Sequence, residues 1–263
     1  MKLIDAHNHL HDARLRPHIA TILPMLDLQC AVVNGTRASD WGAVSDLAKG
    51  HPWVRPSFGL HPWFVAERTA RWREDLCERL DAHPGAGVGE IGLDCWVKDC
   101  DLADQTRVFT AQLAIAAERN LAPTIHCIQA WGPLWDVIRA VDLPARGFLI
   151  HAYGGSVEMM RSFAESGACF SFSPYFLHER KAAQRRVFAE IPEDRLLVET
   201  DAPDLRPPDE RNAHPLFDEE GNAINHPANI AVAYEGLAKI RGMSVEALRK
   251  IVAENFARLF PQS

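Results

Sequence analysis

Eight short apolar or β-branched runs punctuate the chain, and their rhythm constrains the fold more than any other feature. They are Leu3–Ala6, Ala31–Asn34, Val54–Phe58, Gly87–Ile91, Pro123–His126, Phe148–His151, Cys169–Phe172 and Leu196–Glu199. Their spacing of roughly twenty to thirty-six residues is that of repeated strand–helix units. Between them, Asp104–Asn120 and Ser156–Ser166 carry apolar residues at three- and four-residue intervals, as amphipathic helices do. Ser244–Phe260 does the same and opens with a serine before an acidic first turn, a helix-start signature. Such alternation implies a closed barrel or a large doubly wound sheet. No glycine-rich phosphate loop follows the first run, which disfavours the dinucleotide-binding version. The expectation is a single (β/α)₈ barrel domain over residues 1–263, possibly distorted.

Composition bounds the function. A hydrophobic fraction of 47% is enough to fill a core. No run approaches the ~20 apolar residues that span a bilayer, and no basic leader precedes the segment at Leu3, so the expectation is a cytoplasmic protein without membrane contact. Six cysteines without a CxxC pair point to reduced thiols and give a cysteine-based zinc site no support. The net charge of −7 argues against broad electrostatic capture of nucleic acid. A phosphate substrate remains compatible, because bound metal ions supply positive charge locally.

The chemistry gathers at the ends of the apolar runs. In Asp5-Ala-His-Asn-His9, strand alternation turns His7 and His9 to one face, where two imidazoles can share a cation. Asp5 lies on that face one layer deeper, suited to support. Glu90, His126, His151 and Asp201 each end another run, and strand ends converge on one mouth in a barrel. A lone histidine there reads more readily as a hydrogen-bonded core residue than as a ligand; this many buried together need a cation.

These pieces resemble the TatD family of metal-dependent hydrolases, within the wider amidohydrolase-like barrels. The motifs are Asp5-Ala-His-Asn-His9, Gly59-Leu-His-Pro62, Gly89-Glu-Ile-Gly-Leu-Asp94, the run ending at His126, His151 with Gly154-Gly-Ser156, Glu199-Thr-Asp-Ala-Pro203 and Asn255-Phe-Ala-Arg-Leu-Phe260. The resemblance implies a TIM-type barrel and ester hydrolysis by a metal-activated water, often of DNA phosphodiesters. It implies one divalent ion on His7, His9, Glu90 and Asp201, and a second on Glu90, His126 and His151, with Glu90 shared. Zn, Mn, Mg or Ni would suit these ligands. Asp201 would serve as proton acceptor, and Glu199 as a partner for a ligating histidine or an interior structural group. His61 reads either as a substrate contact or as a turn residue before Pro62.

Two departures bear on the substrate, expected to be a small-molecule or nucleic-acid phosphodiester with no obligate protein partner. Ile128 and Ile224 stand where related sequences carry arginines, and guanidinium suits phosphate. A less cationic pocket would suit a lactone, cyclic amide or aminoacyl ester; a non-catalytic metal-binding scaffold is a third reading. Trp96, Trp131 and Trp135 read as packed aromatics or as stacking surfaces, and His178 and His226 as exposed loop residues or substrate contacts. Asn229 is a candidate brace for a long loop over Asp201–Asn229.

Overall fold

The computed structural model describes residues 2–261; residues 1, 262 and 263 of the expected domain lie outside the described residues. Each of the eight apolar runs forms a parallel strand: β1 (Leu3–Asn8), β2 (Leu28–Asn34), β3 (Val54–Ser57), β4 (Val88–Asp94), β5 (Pro123–Ile128), β6 (Phe148–Ile150), β7 (Ala168–Phe172) and β8 (Leu196–Val198). Ladders join β1-β2-β3 and β4-β5-β6-β7-β8. The first seam closes through Gly87 N–H donating to the Pro56 carbonyl at 3.0 Å and Gly89 N–H to Phe58 at 3.0 Å. At the other seam, beyond β8, Asp201 N–H donates to the His7 carbonyl at 3.0 Å and His9 N–H to Ala202 at 2.8 Å. The result is a TIM-type barrel, with its strands buried on both faces as parallel sheets require.

Helices cover the outside. Short helical turns over residues 13–25 follow β1; then come α1 (Trp41–Gly50), α2 (Trp72–Asp81), α3 (Leu102–Arg119), α4 (Trp131–Ile138), α5 (Val157–Glu165), α6 (Ala182–Glu190), α7 (Ile230–Arg241) and α8 (Val245–Leu259). Helix α3 shows why these segments fold. Asp101 accepts the Asp104 N–H at its N-terminus, and Asn120 turns left-handed at its end with φ 48°. Its buried stripe of Val108, Phe109, Leu113 and Ala116 packs on the barrel; Phe109→Ala would cost about 3–5 kcal/mol. Ser244 caps α8 by accepting the Ala247 N–H at 3.1 Å. Within α8, Asn255 donates to the Glu193 and Leu196 carbonyls at 2.7 and 2.8 Å, tying the last helix to the entry of β8.

The segment after β8 is more ordered than a bare loop. It carries a two-stranded antiparallel hairpin, β9 (Pro215–Phe217) and β10 (Ala223–Asn225). Asn229 braces it, accepting the His214 N–H at 3.2 Å and donating to Asn212 and Asn225 at 3.0 Å. Among the described residues, no helix is long and apolar enough to cross a membrane. All six cysteines are free.

Candidate metal centre

Strand β1 delivers its two histidines to the C-terminal mouth as alternation demands, with their Nε2 atoms 3.2 Å apart. Nδ1 of His9 lies 2.8 Å from the Asn34 carbonyl. A carbonyl can only accept, so Nδ1 carries the proton and the Nε2 lone pair faces the centre. The Asn34 side-chain amide stands 3.0 Å from Nδ1 of His7, so one residue of β2 steadies both rings. Oδ1 of Asp201 closes this half, 3.2 Å from His7 Nε2 and 3.4 Å from His9 Nε2.

Glu90 joins the two halves. Its Oε2 lies 3.2 Å from His9 Nε2; its Oε1 lies 3.0 Å from His126 Nδ1, 2.9 Å from His151 Nε2 and 3.5 Å from His61 Nε2. Nδ1 of His126 and Nε2 of His151 are themselves 3.3 Å apart. Glycines let the strands close in around Glu90. A Cβ on Gly92 would meet the His126 carbonyl oxygen at 2.0 Å, and one on Gly89 would meet side-chain atoms of Asn34, Ser57 and Thr124 at 2.9 Å.

Further groups hold the ring in place. Oδ2 of Asp94 stands 2.7 Å from Nε2 of His126, turning Nδ1 of that ring toward Glu90. Asp94 is pinned in turn: its backbone N–H and carbonyl are both bonded to the Gln105 amide of α3, at 2.9 and 3.0 Å. Glu199 lies 3.6 Å from Nδ1 of His151 and accepts from Ser171. Asp5 accepts the Thr200 hydroxyl at 2.6 Å and its N–H at 3.0 Å, so its support of the site runs through the residue preceding Asp201. Asp201 itself sits at φ 54°, a conformation sparsely populated by aspartate that aims its carboxylate into the mouth.

Charge balance favours cations here. Burial opposes ionisation of Glu90, yet the surrounding His151, His61 and His7 hold it well below the usual carboxylate range. Asp201 is lowered too, against burial, by His7 and His9. Burial pushes His7 down to about 4 and His61 to about 3, whereas His9 and His151 rise well above the usual imidazole value against burial, drawn up by the carboxylates. Burial also raises Asp5 and Glu199 to about 7. The centre therefore calls for positive charge, as protons on histidines or as metal. Donor atoms converge in three overlapping groups, His7-His9-Asp201, His7-Glu90-His151 and His61-Glu90-His126, each within 4.8 Å. Imidazole nitrogens and carboxylate oxygens at these separations fit divalent ions.

Asp5, His7, His9, His61, Glu90, His126, His151, Glu199 and Asp201 all lie in or against this cluster. His61 takes the turn role: Nδ1 accepts the Trp63 N–H at 3.2 Å, capping a short helix at Pro62–Glu67, while its Nε2 lies 3.5 Å from Glu90. Asp94, Asn34, Thr200 and Gln105 carry no local signal of these roles; Asp94 is visible in the sequence only as the last residue of its glycine-containing motif. The two isoleucines differ. Ile128 is half-exposed at the end of β5, whereas Ile224 is buried in the hairpin opposite Leu216. His226 is buried, with Nδ1 accepting the Ala228 N–H, and His178 is bonded to the Arg206 carbonyl, so neither is a bare surface residue. Trp131 and Trp135 pack on Phe163, but Trp96 stands exposed.

The sequence matches the family described as TatD related DNase over residues 4–261. It is 27% identical to the uncharacterized metal-dependent hydrolase YabD of Bacillus subtilis, across 98% of both chains. It is 30% identical to the 3'-5' ssDNA/RNA exonuclease TatD of Dickeya dadantii, over 87% of this chain and 85% of that one. The crystal structure of the TatD homologue YJJV of Escherichia coli superposes with a TM-score of 0.89 at 24% identity, covering 99% of this chain and 98% of that one, a likeness of fold.

Proposed function

This chain belongs to the TatD related DNase family, and from that premise we propose that it hydrolyses phosphodiester bonds of a nucleic-acid strand with two divalent ions. The observation that carries the reading is Glu90, whose two oxygens each face a separate set of imidazoles, as a shared carboxylate would. His7, His9, Asp201 and Glu90 would hold one ion; Glu90, His126 and His151 the other. When bound, such ions lower the pKa of water and polarise the scissile P–O group. Residues 1–263 act as one unit in this reading, and the six free thiols suit a reducing compartment such as the cytoplasm.

The protein's own groups supply orientation and proton transfer. Asp201 directs Oδ1 at His7 and His9 and is ionised at neutral pH, ready to accept the proton of the attacking water. The water oxygen bonds to phosphorus, the bond to the leaving oxygen breaks, and that oxygen takes up the proton. Asp94 and Glu199 orient His126 and His151; Asp5 anchors Thr200 beside Asp201. His61, in reach of Glu90, faces the substrate.

A second reading, hydrolysis of a lactone, cyclic amide or aminoacyl ester, is favoured by Ile128, whose apolar side chain reaches the mouth where a cation would grip phosphate. Metal-loaded protein assayed on single-stranded DNA ends, a simple phosphodiester, a lactone and an aminoacyl ester separates the two. Cleavage of the nucleic-acid end supports the phosphodiesterase. Activity on lactones or aminoacyl esters alone refutes it, and inactivity on all four with metals bound points to a scaffold.

A further inference from the structure

The mouth has one wall that the metal chemistry does not use. Trp63, just after β3, and Trp96, just after β4, are large apolar side chains left 47% and 63% exposed. Their rings lie 6.4 Å apart, inclined by 31°. Trp63 also packs edge-on against two imidazoles of the centre, His61 at 5.1 Å and His126 at 6.3 Å. Ile128, itself exposed, stands two residues beyond His126 on the same strand and is paired in register with Asp94. Two neighbouring exposed indoles, contiguous with the candidate metal centre, form an apolar patch of the kind that marks binding surfaces.

Asp94 connects this wall to the centre. One of its oxygens faces Nε2 of His126 and the other accepts the Trp96 backbone N–H at 2.7 Å. The group that orients a histidine of the centre therefore also fixes where the loop bearing Trp96 leaves β4. A flat π-system against Trp96 would lie beside the His126 side of the centre, with its polar edge free toward the solvent.

Resting on the phosphodiesterase reading, we propose that Trp63, Trp96 and Ile128 form a subsite that takes the nucleobase next to the scissile phosphate by stacking. Base–aromatic stacking tolerates any sequence, since every base has a π-face, so the subsite selects a nucleotide end without selecting its identity. It also lets a chain of net charge −7 hold nucleic acid without a broad basic surface.

The test compares a single-stranded oligodeoxynucleotide with the same strand carrying abasic residues at its ends, on the manganese-loaded full chain. Wild type is expected to favour the base-bearing end by about 5- to 100-fold in KM, and Trp96→Ala to lose that preference, with Trp96→Phe recovering most of it. Tryptophan fluorescence read in chelator is expected to be quenched by the base-bearing strand, and less so by the abasic one. Equal cleavage of both strands by wild type, with no differential quenching, overturns the subsite and leaves the phosphodiesterase standing. Base-dependent quenching that is lost in Trp96→Ala, without cleavage of any phosphodiester, retains the subsite and refutes the phosphodiesterase. Neither quenching nor cleavage refutes both.

Discussion

The carboxylate of Asp94 lies 2.7 Å from Nε2 of His126 and thereby commits that ring to face Glu90 through Nδ1. A carboxylate on the far nitrogen fixes the tautomer and raises the basicity of the ligating one, and losing such a partner typically costs 10–100-fold in metal affinity or activity. Asp94→Asn is expected to weaken binding of the second metal equivalent by about that factor, with thermal stability little changed. Calorimetric titration with Mn(II) checks it; unchanged affinity would remove Asp94 from the centre.

Asp201→Asn separates proton transfer from folding. Asparagine tolerates positive φ better than most residues, so the backbone at φ 54° is retained. The expected loss is about 10²–10⁴-fold in kcat, with a cooperative melt near that of wild type. Wild-type turnover in this variant would contradict the role given to Asp201.

Metal binding and protons compete. Burial works against protonation of His9 and His151, yet the carboxylates hold both protonated above the usual imidazole value. Ions must displace these protons, so metal affinity falls as pH drops and binding releases protons. Calorimetry in buffers of different ionisation enthalpy measures the release; a binding constant flat from pH 8 to pH 5.5 would contradict it.

Away from the centre, Arg68 grips Asp104 with two hydrogen bonds of 2.7 and 2.8 Å, and these hold the carboxyl below its usual value. A lowered folded pKa means stability that is present above the unfolded value near 3.9 and lost as pH falls through the folded pKa. Melts below about pH 4 are therefore expected to fall more steeply for wild type than for Asp104→Asn; identical slopes would show that the pair contributes nothing.

The barrel and the outline of the centre were legible because both repeat a simple rule. Each strand is an apolar run and each candidate ligand lies at or just past the end of one, so His7, His9, Glu90, His126, His151 and Asp201 needed no knowledge of distant neighbours. The supports needed such knowledge. Thr200 meets Asp5 across 195 residues and Asp94 meets His126 across 32, and neither pairing leaves a local pattern. Exposure was equally hidden: Ile128 and Ile224 looked alike as apolar residues, yet one is exposed at the end of β5 and the other is buried in a hairpin. The hairpin was missed because β9 and β10 are three residues each, too short for alternation to register.

The proposed pair of ions shared through Glu90 is tested most directly by a metal titration read as stoichiometry and rate together. Metal-free protein is brought stepwise to defined Mn(II) equivalents, bound metal is counted by equilibrium dialysis, and hydrolysis of a single-stranded oligonucleotide is followed at each step. The rate is expected to reach its plateau at two ions per chain, and Glu90→Gln to lose tight binding of at least one ion and most of the rate. Full activity at one ion or none, or two ions retained tightly by Glu90→Gln, would contradict it.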